Sequence, residues 1–205
     1  ESYDYYTSLG HKVIQIPNAI DISSLSFDED RKYEKQVIFA GRLSREKGIK
    51  TLIEICKILP DDIHLIIIGN GPEVENVKKL ESSQNNVHYL GSKNHQQTIS
   101  LIKGSDVLIQ PSFSEGISTT ILESMACKTA IIASNVGGNL ELIQDQESGI
   151  LVEPTNHEMF CEKIIKLTSD KLFRNKLSDL SYENVKKYDW KNIGKQYLEL
   201  YNSLL

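Results

Sequence analysis

The chain reads as an α/β domain built on a doubly wound parallel sheet, with further helices at its C-terminal end. From about residue 37 to 170, six short apolar segments alternate with helical patterns. The segments are residues 37–40, 64–68, 87–90, 107–110, 130–133 and 150–152. They are rich in Ile and Val and apolar without alternation, which suits strands covered on both faces of a parallel sheet. Strand–helix alternation then implies right-handed crossovers and helices on both faces.

The helical patterns fall between these segments. Residues 47–59 carry Leu52, Ile53, Ile55, Cys56 and Leu59 at helical spacing. Residues 72–82 open on Pro72, which suits a first helical turn where no N–H is needed. Residues 95–103 carry Ile99 and Ile102, and residues 118–126 and 139–143 complete the set. After Val152 the pattern is helical throughout. Residues 156–168 carry Met159, Ile164, Ile165 and Leu167, and residues 170–188 are polar and charged along one face. Residues 190–205 carry Ile193, Tyr197, Leu198, Leu200, Tyr201, Leu204 and Leu205. That is more apolar surface than a terminal helix of a small domain needs, so this helix packs either on its own sheet or on a second domain. Ahead of the first core segment, residues 12–16 read as a strand through Val13, Ile14 and Ile16. Residues 17–21 read as a turn, and residues 23–35 as polar and irregular.

A chain of 205 residues, 40% hydrophobic, suits one well-buried domain with or without an appendage. A net charge of −5 gives no global signal for nucleic acid. The longest apolar runs, such as residues 37–40 and 65–68, are far too short to span a bilayer. The polar, acidic opening does not read as a secretory leader, and without an initial Met it reads as the middle of a longer protein. Cys56, Cys127 and Cys161 are odd in number, lack metal-ligand spacing and read as buried free thiols in a reducing compartment. His11, His64, His88, His95 and His157 form no metal pattern either, and neither a nucleophile elbow nor a Walker loop is present.

Residues 115–123 read Glu-Gly-Ile-Ser-Thr-Thr-Ile-Leu-Glu, between the segment ending Gln110-Pro111-Ser112 and a helix through Met125 and Ala126. Glu115 at the mouth of that turn and Glu123 inside the helix can grip hydroxyls, while free N–H groups at the helix start face an anion. Equally, each glutamate alone could be a solvated position. Arg42, Arg45, Lys47 and Lys50 cluster with one anion, Glu46, around Gly41 and Gly48. Cations at a helix start oppose its macrodipole by roughly 0.3–1 kcal/mol each, a conflict that a bound anion would remove. A solvated basic loop is the other reading. The turns Gly69-Asn70-Gly71-Pro72 and Gly137-Gly138-Asn139 could approach a ligand or simply be tight turns. Val74 stands where a dinucleotide fingerprint wants a third glycine. All these turns follow carboxyl ends of strands, the ligand-binding edge of open α/β sheets.

In order, the motifs are Phe39-Ala40-Gly41-Arg42-Leu43 with Lys47-Gly48, Ile68-Gly69-Asn70-Gly71-Pro72, Asn86-Val87-His88-Tyr89-Leu90-Gly91 and Pro111-Ser112. Glu115-Gly116, Leu122-Glu123-Ser124-Met125-Ala126-Cys127, Asn135-Val136-Gly137-Gly138 and Glu141-Leu142-Ile143 close the series, and Pro17-Asn18-Ala19-Ile20-Asp21 stands ahead of it. Together they resemble the C-terminal, Rossmann-like donor-binding domain of GT-B glycosyltransferases, specifically glycosyltransferase family 4, over about residues 13–205. The resemblance implies a retaining, metal-independent, hexosyltransferase-type enzyme that needs no cofactor and takes a UDP-sugar or GDP-sugar as donor. Arg42 and Lys47 would hold the diphosphate, and Glu123 the ribose. Glu115 would bind the transferred sugar, with amides of Gly116, Ile117, Ser118 and Thr119 near sugar and phosphate. Glu115, Arg42 and Lys47 would be the catalytic set, and Gly69, Gly71 and Gly91 would line the donor site, with the loop at Gly91 near the base.

The resemblance further implies a division into residues 1–22 as linker and end of an N-terminal domain, 23–187 as the nucleotide-sugar domain, and 188–205 as a helix packing on that N-terminal domain. A glycan or lipid-linked acceptor would bind the N-terminal domain. The expected location is cytoplasmic, with peripheral contact at the inner membrane face. Ser118, Lys128 and Asn139-Leu140 depart from common family residues. A nucleotide-sugar 2-epimerase of the same architecture and a non-catalytic nucleotide-sugar-binding module are the competing readings.

Overall fold

A computed structural model describes residues 2–203. The elements run α1 (Ser2–Ser8), β1 (Gln36–Ala40), α2 (Ile49–Ile58), β2 (His64–Ile68), α3 (Val74–Ser83), β3 (Val87–Tyr89) and α4 (His95–Lys103). They continue β4 (Val107–Gln110), α5 (Thr119–Ala126), β5 (Ala130–Ser134), α6 (Asn139–Leu142), β6 (Ile150–Val152), α7 (His157–Ser169), α8 (Lys171–Val185) and α9 (Trp190–Asn202). The six strands form one sheet in the order β3-β2-β1-β4-β5-β6, and every pairing is parallel. This is the doubly wound, Rossmann-like architecture.

Alternate residues of each strand serve opposite faces. Val37 and Phe39, with Leu65, Ile67, Ile109 and Ile132, join a core completed by Leu52, Ile55, Val77, Phe160 and Ile164 of α2, α3 and α7. Ile38, with Ile66, Ile68, Leu108 and Ile131, joins a second core completed by Ile99, Ile102, Leu122, Met125 and Val185 of α4, α5 and α8. Both faces are covered, which is why the strands read as unbroken apolar runs.

The N-terminal segment departs from the sequence reading. Residues 12–16 form no strand, and Ile14 is exposed. The short apolar alternation there has no strand beside it to complete a ladder. Residues 2–8, within the stretch read as linker and end of an N-terminal domain, form α1, and residues 186–188 leave the α-helix for a 3-10 turn. Leu204 and Leu205, counted above on the last helix, lie outside the described residues. Where the chain enters the sheet domain it is tied to where it leaves. The Ile20 N–H donates to the Tyr188 carbonyl at 3.0 Å, and the Trp190 N–H donates to the Ile20 carbonyl at 2.9 Å.

Candidate functional site

In this strand order the direction of winding reverses between β1 and β4, the point where open α/β sheets bind ligands outside the carboxyl ends of their strands. Two adjoining cavities occupy that edge, of about 350 and 280 Å³, and both are lined by Ala40, Gly41, Arg42 and Thr120. The first extends over β2 to Ile68, Gly69, Asn70, Ser92, Lys93 and Thr98. The second extends over β4 to Asn18, Lys47, Gln110, Glu115, Ile117, Ser118 and Thr119.

Backbone packing builds the rim. Gly48 caps α2 with φ +74°, and a Cβ there would stand 1.8 Å from the Pro111 carbonyl oxygen. Only glycine satisfies both the left-handed conformation and that approach. This fixes the start of α2 at Ile49, two residues later than its apolar pattern suggests. Gly69, at φ +132°, likewise leaves its missing Cβ 1.8 Å from the Gly41 carbonyl oxygen, so the β2 turn lies directly on the loop carrying Arg42. Gly71 sits against Leu43 of the same loop.

Glu115 is the hub of the second cavity. Its side chain is only 5% exposed and forms an ion pair with Lys47, whose Nζ lies 2.7 Å from Oε2 and 2.8 Å from Oε1. Ser112 Oγ donates to Oε1 at 2.6 Å, and Gln110 Nε2 donates to the same oxygen. Gln110 also bonds Ser118 Oγ at 3.1 Å, and Ser118 caps α5 by accepting the Ile121 N–H at 3.4 Å. Carboxylate, ammonium and helix start therefore form one network. The remaining N–H groups of the first turn of α5 have no intrahelical acceptor. The neighbouring Ile117 carbonyl accepts from Asn18 Nδ2 at 2.9 Å, which ties the incoming chain to the glutamate loop.

Lys47 and Glu115 neutralise each other. Arg42 and Lys93 are exposed on the cleft wall and have no ion pair among the described residues, so the cleft is net positive. Glu123 lies one turn beyond Thr119 and Thr120 on α5, with its side chain 16% exposed. Its Oε1 is 2.9 Å from Nε2 of His95, at the start of α4. Burial raises the Glu123 carboxyl above the usual carboxylate range, and the His95 hydrogen bond opposes this.

Of the residues singled out from sequence, Arg42, Lys47, Gly69, Glu115, Ile117, Ser118 and Thr119 line the two cavities. Gly71, Gly91, Gly116 and Glu123 stand outside that lining. Lys93, Thr98 and Gln110 line it without having been singled out, Asn18, Asn70 and Thr120 line it from stretches read above as motifs, and Ser112 reaches it through Glu115. Gln110 carried a readable signal, being a polar residue closing an otherwise apolar buried strand. Asn18 was legible as part of the Pro17-Asn18-Ala19-Ile20-Asp21 stretch, but its contact was not, since that lies 99 residues away. Among the described residues no group of three or more His, Cys, Asp or Glu is placed to hold a metal, and no helix is long and apolar enough to cross a membrane.

The chain is similar to a glycosyltransferase of Methanocaldococcus jannaschii, with 30% identity over 198 residues, 88% of this chain and 50% of that protein. It is 29% identical over 170 residues to an N,N'-diacetylbacillosaminyl-diphospho-undecaprenol alpha-1,3-N-acetylgalactosaminyltransferase of Campylobacter jejuni, covering 82% of this chain and 45% of that enzyme. The chain thus spans about half the length of the curated relatives it matches. Its fold matches that of Anabaena HepE, crystallised in complex with UDP, with a TM-score of 0.84 at 21% identity over 98% of this chain and 61% of HepE. The sequence model of the family described as glycosyl transferases group 1 matches residues 22–184, so the chain belongs to that family.

Proposed function

We propose that this chain is the donor-binding half of a retaining, metal-independent glycosyltransferase of family 4. It would transfer a hexose from a UDP-sugar or GDP-sugar to a glycan or lipid-linked acceptor. The observation that carries this reading is the Lys47–Glu115 pair set at the start of α5, with Arg42 on the same cleft and without an ion pair among the described residues. In the donor, the bond between the anomeric carbon and the terminal phosphate oxygen breaks, and charge grows on the departing nucleoside diphosphate. Arg42, Lys47 and the N–H groups of Thr119 and Thr120 would stabilise that charge from fixed positions, the work a metal ion does elsewhere. Glu115 would accept hydrogen bonds from sugar hydroxyls. Because its carboxylate is held by Lys47, Ser112 and Gln110, it needs little reorganisation when the donor arrives. Glu123 would take the ribose, and the strip from Gly91 to Lys93 the base.

The acceptor and the catalytic partner surface belong to a second domain. Relatives of about twice the length support this, as does a row of exposed apolar residues on α9: Trp190, Tyr197, Leu198 and Tyr201. Residues 188–205 would cover that row by packing on the N-terminal domain, with residues 1–22 as the linker and 23–187 as the donor domain. The lipid-linked acceptor named for the Campylobacter relative supports a lipid-linked or glycan acceptor here, reached from the cytoplasm by peripheral contact with the membrane.

The test is a thermal-shift series of this chain with UDP, GDP and ADP, each with and without EDTA. Saturation at 100 times the dissociation constant adds about 2.7 kcal/mol of stability. One nucleoside diphosphate should raise Tm equally with and without EDTA. No shift with any of the three contradicts the reading, and a shift abolished by EDTA contradicts metal independence.

A further inference from the structure

We infer that His95 is a positioning residue of the nucleotide site: it holds one carboxylate oxygen of Glu123 and so presents the other to the ribose hydroxyls of a nucleoside diphosphate. This rests on the donor-binding reading above and extends it to a helix, α4, to which neither sequence nor family match gave a role. The first support is the economy of Glu123's contacts. Its side chain is largely buried, yet among the described residues the only hydrogen bond to it comes from His95 Nε2, at 2.9 Å. An ionised carboxylate can accept about four hydrogen bonds, so most of its capacity is unused. Ribose, with two adjacent hydroxyl donors, is a ligand that would complete it.

The second support is that the histidine is held there by its backbone rather than by packing. The imidazole is 58% exposed. Its Cα is fixed because Asn94 and Gln97 form a reciprocal cap at the start of α4. Asn94 Oδ1 accepts the Gln97 N–H at 2.9 Å, and Gln97 Oε1 accepts the Asn94 N–H at 3.2 Å. The third support is register. Thr98 lies one turn after His95, and Thr120 one turn before Glu123, and both line the cavity over β2. The His95–Glu123 pair therefore sits beside the space a ribose would fill. Hydrogen bonding by His95 also favours the ionised form of Glu123 against its burial.

The experiment compares dissociation constants for UDP, GDP and ADP and for their 2′,3′-dideoxy counterparts, on wild type, His95→Ala and His95→Gln, with Tm recorded for each protein. His95→Ala should weaken the ribose-bearing nucleotide about 2- to 10-fold, the worth of one hydrogen bond. It should leave the dideoxy nucleotide unchanged, because that ligand has nothing to offer Glu123. His95→Gln, which keeps an N–H donor, should recover most of the loss. Equal weakening of both ligands, no change in either, or tighter binding by His95→Ala overturns the inference, the last because His95 would then compete with ribose. Wild-type binding in the same series tests the donor reading separately. If wild type binds none of the three diphosphates, that reading falls and this inference with it. If wild type binds and the ribose discrimination is the same in all three proteins, only the role of His95 falls.

Discussion

At the scale of single residues, Arg42 and Lys47 are not equivalent although both are cations of one loop. Lys47 is 29% exposed and neutralises a nearly buried carboxylate, whereas Arg42 is exposed and has no ion-pair partner among the described residues. Arg42→Ala should therefore weaken nucleoside-diphosphate binding with Tm unchanged. Lys47→Ala should weaken binding and also lower stability by about 1–3 kcal/mol, because Glu115 loses its counter-charge. Denaturant melts beside binding curves check both. Glu115→Gln should spare binding of the plain diphosphate and weaken binding of the intact nucleotide sugar. Equal losses for both ligands would remove Glu115 from the sugar.

Glu123 gives a prediction about pH. Burial raises its carboxyl pKa, so the folded chain holds that proton more tightly than the unfolded chain does. Stability is then lost as pH rises from the ordinary glutamate range through the raised value, and neutral pH carries the whole cost. Glu123→Gln should raise Tm at pH 7 and give little gain at pH 4, while weakening nucleotide binding. His88 runs the other way. Burial, and then the neighbouring His64 at 3.0 Å, hold its imidazolium below the ordinary histidine range. The unfolded chain takes up this proton near pH 6.5 and the folded chain does not, so Tm should fall as pH drops from about 7.5 to 5.5. His88→Gln should flatten that slope.

At the scale of elements, the rim depends on close backbone contacts that a methyl group would break, and the one at Gly48 joins the two charged loops. Gly48→Ala forces an L-residue to φ +74° and drives its Cβ into the Pro111 carbonyl, separating the Lys47 loop from the Glu115 loop. Left-handed strain alone costs of order 1–3 kcal/mol. Both stability and nucleotide affinity should fall, and an Ala variant with wild-type Tm would contradict the contact.

Much at this scale was legible beforehand. β2, β4 and β6 match the apolar runs residue for residue, because burial on both faces leaves no polar interruption inside a strand. Residues 12–16 show the limit, since a strand needs a partner and a local pattern cannot say whether one exists. In the site, residue types were readable but pairings were not. Lys47 and Glu115 stand 68 positions apart, and only the parallel packing of β1 beside β4 brings their loops together. Asn18 reached the cavity by the same kind of long-range closure.

At the scale of the whole molecule, the chain carries a cleft proposed to hold the donor and, on α9, an uncovered apolar row. Trp190, Tyr197, Leu198 and Tyr201 lie on α9 with their rings and branches exposed, while Ile193 on the same helix is buried. If residues 188–205 pack on an N-terminal domain, this chain alone should bind nucleotide and transfer no sugar to a simple acceptor. Robust transfer by the 205-residue chain would show that the second half is dispensable. A nucleoside diphosphate held by Arg42, Lys47 and the start of α5, without a metal, is the claim on which the rest depends. Calorimetric titration of wild type and Arg42→Ala with UDP, GDP and ADP in EDTA tests it most directly. The account predicts saturable binding of one of them to wild type and markedly weaker binding to Arg42→Ala; binding to neither protein, or equal binding to both, would contradict it.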